Sequence, residues 1–249
     1  MLIDLDYEYI QKDGESRALF TRRVMEQLKR LELLIGDKIE QVKKTTVLIL
    51  GLGGVGGYVV ESLARSGIGK LIIVDSDNID ITNLNRQIIS NHENIGHKKV
   101  DEWEKRIKCI NPEIIVEKIT DFITIDNINI LFDKKFDYLI DACDTITTKK
   151  EVIKRCLQKS IPFISSMGTG KKLHPEYLEI TTLDKTSYDP IAKKLRKMLK
   201  DEHIYGKVPV VYSKEQTPKI DSTTVASSAF VPSVAGLLCA SYIFNLIVR

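Results

Sequence analysis

Residues 47–87, VLILGLGGVGGYVVESLARSGIGKLIIVDSDNIDITNLNRQ, decide how the rest of the chain is read. Val47 to Leu50 is an unbroken apolar run, as expected of a strand covered on both faces. It leads directly into Gly51-Leu52-Gly53-Gly54-Val55-Gly56, a G-x-G-x-x-G turn. Helical spacing follows from Tyr58 to Arg65 and stops at Gly67, and a second apolar run, Leu71 to Val74, ends on Asp75. Strand, glycine turn, helix, strand and acid in that order predict a nucleotide site. Glycines permit the tight turn and let backbone approach a phosphate, while the helix N-terminus offers unpaired N–H groups and a partial positive charge. Asp75, nineteen residues beyond Gly56 (75 − 56), is placed to accept hydrogen bonds from ribose hydroxyls.

The next residues bear on which nucleotide binds. The chain continues Asp75-Ser76-Asp77 and then Asn83-Leu84-Asn85-Arg86-Gln87. An arginine near the glycine turn suits a triphosphate under cleavage, because charge builds on phosphoryl oxygens in the transition state. GLGGVG, D-x-D and N-x-N-R-Q together resemble the adenylating superfamily that includes ubiquitin-activating enzymes and the thiamine- and molybdopterin-pathway adenylyltransferases. The resemblance implies an ATP site at Gly51, Gly53, Gly54, Gly56, Asp75, Asp77, Asn83, Arg86 and Gln87. Lys99 opens a helical stripe of Val100, Trp103, Ile107 and Ile110 that ends at Asn111-Pro112. In relatives its position contacts ATP phosphates; with Lys98 beside it, a solvated lysine is the alternative. Arg30 matches an arginine that reaches across a dimer to the partner's ATP. Gln27 and Leu28 stand where the family usually has a second arginine and an aromatic, so a solvated surface arginine is the alternative there.

Length and composition set bounds. A chain of 249 residues, 43% hydrophobic and 29% charged, suits one large folded α/β domain. The net charge of +3 does not by itself imply a nucleic-acid partner. Between Asp184 and Lys219, however, nine Lys/Arg face five Asp/Glu, a local +4 (9 − 5). Four cysteines, at 109, 143, 156 and 239, form no C-x-x-C pair, which points to a reduced, intracellular, cytoplasmic protein without structural zinc. Asp4, Asp6 and Glu8 stand where an export signal needs an apolar core, so no export signal is expected, and the mixed, acidic residues 1–16 read as a short extension or an irregular arm.

The remaining elements alternate. Arg17 to Ile35 has helical spacing through Leu19, Val24, Leu28, Leu31, Leu34 and Ile35, closed by Gly36. Ile114–Ile119 reads as a strand, Ile125–Leu131 as a helix, Phe136–Ile140 as a strand, Thr147–Lys159 as a helix and Ile161–Ser165 as a strand. This βαβ series predicts a Rossmann-like, doubly wound, mostly parallel α/β sheet with an N-terminal helical arm. The fourth strand ends Asp141-Ala142-Cys143-Asp144, in the crevice where such sheets bind ligands. Asp141 reads as a strand-end cap and Cys143 as a small buried side chain. The superfamily resemblance assigns Mg²⁺ to Asp144, a hard oxygen donor. Ser166-Met167-Gly168-Thr169-Gly170 leaves room for a substrate or makes an ordinary turn.

Tyr177–Leu183 alternates as a strand, and Asp189-Pro190 is an N-cap and first helical residue for Ile191–Lys200. That helix sets Ile191, Leu195, Met198 and Leu199 opposite Lys193, Lys194, Arg196, Lys197 and Lys200. D-x-x-x-x-D-P-[IL]-A-x-x-[LM]-R-x-x-L followed by V-V-[FY]-S-x-E resembles the tRNA threonylcarbamoyladenosine dehydratase family, with the likeness running over residues 17–247. The resemblance implies a homodimer that uses ATP and Mg²⁺ to activate a threonyl carboxylate beside a tRNA anticodon, with Arg86, Lys99 and Asp144 offsetting phosphate charge. It implies tRNA contact through the basic segment 184–219 and, in some relatives, a cysteine-desulfurase or sulfur-relay partner. An adenylyltransferase for a ubiquitin-like sulfur carrier, an NAD-dependent module and a non-catalytic tRNA binder remain alternatives. Phe230 to Val248 is long enough to span a membrane, but Pro232, Ser233, Ser241 and Asn245 interrupt it, and a buried helix is expected.

Overall fold

A computed structural model of the chain describes residues 26–216 and 225–249. The expected extension at 1–16, the first part of the arm at 17–25 and the end of the basic segment at 217–219 lie outside the described residues. Strands β1 (Thr46–Leu50), β2 (Lys70–Val74), β3 (Ile115–Ile119), β4 (Tyr138–Asp141), β5 (Phe163–Ser166), β6 (Leu178–Thr182) and β7 (Pro209–Ser213) form one sheet in the order β3-β2-β1-β4-β5-β7-β6. All pairings are parallel except β6 with β7. From β1 the chain winds outward through β2 to β3, then returns to place β4 on the other side. The carboxyl ends of β1 and β4, in register at Leu50 and Asp141, therefore flank the switch point where a doubly wound sheet opens a crevice.

The unbroken apolar strand runs have their predicted meaning. Val47 and Ile49 of β1 face one side, with α3 (Gly56–Arg65), α4 (Lys99–Ile110) and the long α8 (Phe230–Ile247). Leu48 and Leu50 face the other, with α6 (Ile146–Gln158) and α7 (Pro190–Asp201). Trp103 and Ile107, from the stripe behind Lys99, are fully buried.

Two expectations change. The helix expected over Ile125–Leu131 shrinks to α5, Asn129–Phe132. Asn127 accepts from the Thr124 backbone N–H at 2.7 Å and donates to Phe122 O at 3.0 Å, so its amide closes a local turn in place of a helical one. Among the described residues of the arm, the apolar stripe holds at Leu28, Leu31 and Ile35 and fails at Leu34. In α1 (Lys29–Ile35) and α2 (Ile39–Lys44) the chain reverses at Gly36, whose φ is 57°. Leu28, just before α1, is buried against Gly67, while Leu33 and Leu34 are 82% and 83% exposed.

Helix α8 is long and apolar enough to cross a membrane by length and composition. In the fold it packs along α3, where Gly236 permits the approach: a Cβ there would stand 2.3 Å from Val55 O and 2.9 Å from Tyr58 Cβ. Gly236→Val is expected to push α8 off α3 and cost about 3 kcal/mol of stability, read by urea denaturation; an unchanged midpoint would contradict this packing.

Candidate active site

A cleft of about 620 Å³ opens at the carboxyl ends of β1, β2, β4 and β5. Its floor is the glycine turn. Gly51 sits at φ 89°, and a Cβ on it would stand 2.8 Å from Ala142 O, so only glycine lets β1 end this close to β4. Gly56 lies behind the floor, where a Cβ would fall 1.7 Å from Gly51 O. That lack of bulk lets α3 start directly against the loop. Gly53 and Gly54 line the cleft, with the Arg86 Cγ at 3.3 Å from a Cβ placed on Gly54.

The acid that follows β2 is held by backbone. Asp75 Oδ2 accepts from Leu52 N at 2.7 Å and Oδ1 from Asp77 N at 2.9 Å. Burial pushes the Asp75 carboxyl above its usual value, opposed by Lys99 and these two donors. Lys99 is not solvated: at 4% exposure its Nζ donates to Asp77 Oδ2 at 2.8 Å and lies 3.7 Å from Asp75 Oδ1. Asn83 is buried and its Oδ1 accepts from Asp80 N at 3.1 Å, shaping the turn that delivers Arg86. Arg86 is half-buried, with Nη1 donating to Thr82 O and Asn85 Oδ1, both at 2.9 Å. Gln87 is buried in the wall, and its carboxamide oxygen has no partner among the described residues.

The end of β4 corrects the reading of Asp141 as a simple cap. Asp141 does accept from Cys143 N at 3.2 Å, but it is wholly buried and forms an ion pair at 3.0 Å with Lys149, itself 1% exposed. Ser165 Oγ of β5 donates to the same carboxylate at 2.6 Å. Burial opposes the Lys149 charge, yet Asp141 holds its pKa above the ordinary lysine value. One residue earlier, Thr148 Oγ1 donates to Ile123 O at 2.9 Å, so the first turns of α6 tie both flanks of the cleft. Sequence reasoning missed Lys149 because Lys149-Lys150 reads as a surface pair. The available signal was its spacing, eight residues (149 − 141) after a strand-end acid. Burial also pushes the Cys143 thiol well above its ordinary value, which leaves it protonated and unsuited to nucleophilic attack.

The far wall explains the motif around α7. Asp189 Oδ1 caps α7 through Ala192 N at 2.9 Å, and Oδ2 accepts from Gly168 N at 3.1 Å, clasping the loop after β5. Lys172 donates to Ser213 O at 3.2 Å and lies 3.7 Å from Asp189, with burial lowering its pKa. Arg196 does not belong to the solvated basic face. Its Nη1 donates to Leu183 O and Thr186 O, both at 3.0 Å, and to the Thr186 hydroxyl. Glu215 accepts from Leu173 N and His174 N. These motif residues hold backbone; Lys193, Lys194, Lys197 and Lys200 remain exposed.

All the nominated residues line this cleft except Gly56, behind its floor, and Arg30, exposed on α1. Asp144 is exposed to the cleft and engages no other group among the described residues. Among those residues no group of three His, Cys, Asp or Glu could hold a metal. One open carboxylate fits a magnesium ion that arrives with phosphates and keeps water ligands, not a resident ion in a protein cage.

The family model described as ThiF matches residues 25–248. The chain is 41% identical over 238 residues to the tRNA threonylcarbamoyladenosine dehydratase of Bacillus subtilis (strain 168), covering 88% of this chain and 94% of the relative. It is 36% identical over 218 residues to the protein of that name from Escherichia coli (strain K12), covering 84% and 81%. The crystal structure of E. coli tRNA N6-threonylcarbamoyladenosine dehydratase in complex with ATP superposes with a TM-score of 0.84 at 31% identity, over 93% of this chain and 96% of that one.

Lys149→Met leaves Asp141 buried and unpaired and is expected to cost about 3–5 kcal/mol in urea denaturation. Because the folded Lys149 pKa lies above the unfolded value of 10.5, its stabilisation is complete below pH 10.5 and is lost as pH rises through the folded value. The variant should therefore lack this part of the wild-type alkaline loss; parallel pH profiles would refute the pairing.

Proposed function

This chain belongs to the ThiF family, and we propose that it is an ATP-dependent dehydratase that cyclises threonylcarbamoyladenosine in tRNA. The observation that carries the reading is the convergence of the glycine turn, Arg86, Lys99 and Asp144 on one cleft. The names of relatives matched over most of both chains supply the substrate.

The chemistry follows from the substrate's weakness as an electrophile. A carboxylate oxygen attacks a phosphorus of ATP, releasing the remainder of the nucleotide or pyrophosphate and turning that oxygen into a leaving group. The ureido nitrogen then attacks the activated carbonyl carbon, loses its proton and expels the phosphorylated oxygen, with net loss of water. Closure is intramolecular, so holding the two ends together supplies much of the acceleration. Backbone at Gly53 and Gly54 leaves room for phosphate, and Asp75 retains lone pairs for ribose beside its two backbone donors. Arg86, anchored through Nη1, presents the rest of its guanidinium to charge building on phosphoryl oxygens. Lys99 exchanges Asp77 for a phosphate without leaving its buried seat. Asp144 would hold magnesium, which supplies neutralising charge to the phosphates.

Arg30, exposed on α1 beside Leu33 and Leu34, suits a role in the partner's site of a homodimer. The lysines of α7 suit tRNA phosphates, and a cytoplasmic setting follows from that substrate.

Mass spectrometry of nucleosides from tRNA incubated with the protein and ATP tests the reading: threonylcarbamoyladenosine should lose one water. Unchanged tRNA, with pyrophosphate exchange on adding a Gly-Gly-tailed carrier, would replace it with the adenylyltransferase reading. Arg86→Ala is expected to slow turnover about 100- to 1,000-fold with the thermal midpoint unchanged. Asp144→Ala should remove the magnesium dependence of nucleotide affinity in calorimetry.

A further inference from the structure

Tyr188 stands just before the Asp189 clasp, with φ at 55°, and the residue is 63% exposed. A bulky side chain in that left-handed region is an outlier, and such strain persists where neighbours impose it. Here they do. Asp189 is fixed on both oxygens, by Ala192 N and Gly168 N, and Pro190 holds the residue before it extended. The left-handed residue is thus joined directly to the one that holds the cleft wall.

The position of the ring bears on what it meets. Asp189, the next residue, accepts from Gly168 N, and Gly168 and Ile191 line the cleft, so Tyr188 stands one residue from the residue that holds the cleft wall. On the same helix Lys193, Lys194, Lys197 and Lys200 are exposed. An exposed aromatic just before a helix that exposes four lysines matches single-stranded nucleic acid, whose bases stack while its phosphates find positive charge. An adenosine that enters an enclosed cleft must also leave its stack, which strips a neighbouring base of its partner.

We propose that Tyr188 is a stacking platform for the unpaired base next to the adenosine that enters the cleft, a subsite that rests on the tRNA reading above. The ring takes the place of the extruded adenosine and selects an unpaired loop over a duplex.

Binding of an anticodon stem-loop carrying 2-aminopurine beside the modified adenosine tests this, using the full chain. Tyr188→Phe should keep both affinity and fluorescence quenching. Tyr188→Ala and Tyr188→Gly should lose quenching and bind roughly tenfold or more weakly. Glycine takes φ 55° without strain, so the thermal midpoint of Tyr188→Gly should hold or rise, and weaker binding then cannot be blamed on unfolding. Wild-type affinity and quenching in Tyr188→Gly would overturn the subsite alone, if Lys193→Ala/Lys197→Ala still weakened binding. No RNA binding by the wild-type protein would overturn the tRNA reading and the subsite with it. A changed sedimentation coefficient with unchanged RNA affinity would overturn the subsite by marking the ring as a contact between copies.

Discussion

The approach of Gly51 to the backbone at Ala142 is the constraint on which the site depends. A side chain on Gly51 would collide with Ala142 O, so β1 and β4 can end side by side only because that position is bare. This brings the phosphate loop and the acid-bearing turn together. The Asp141–Lys149 pair, with Ser165, then holds the turn from below, and α6 begins at Ile146, two residues after Asp144 (146 − 144). Two chain segments distant in sequence thus become opposite walls of one cleft.

The buried lysines of the cleft are paired before any ligand is considered. Lys99 rests between Asp75 and Asp77, Lys149 is spent on Asp141, and Lys172 lies against Asp189. Buried charge without a partner is costly, and this arrangement avoids it. The pairs differ in freedom. Asp77 is largely exposed and can return to solvent when a phosphate claims Lys99, whereas Asp141 and Lys149 have no such exit. Groups suited to ligand exchange stand at the rim, and groups that set geometry lie beneath it.

The motif around α7 is mostly architecture. Asp189 and Arg196 tie α7 to the loop after β5 and to the turn at Leu183–Thr186, and Glu215 fastens the backbone at Leu173 and His174. They give the far wall its shape and fix where α7 begins, directly after Tyr188 and Asp189.

Residues 47–87 determined the nucleotide loop, its flanking strands and the order of the site's residues, because tight turns and doubly covered strands leave local signatures: bare glycines, unbroken apolar runs, an acid at a strand end. The parallel sheet followed from alternation, and the stripe of Val100, Trp103 and Ile107 marked α4 within its true bounds. Burial of Lys99 and Lys149, the double role of Asp141 and the loss of Arg196 from the basic face were decided by tertiary structure alone. Each is a charge whose partner lies on another element or another turn, and a one-dimensional pattern shows where a charge sits but not what it meets. The short α5 had the same cause at smaller scale, since the Asn127 amide chose backbone partners that helical spacing alone does not reveal.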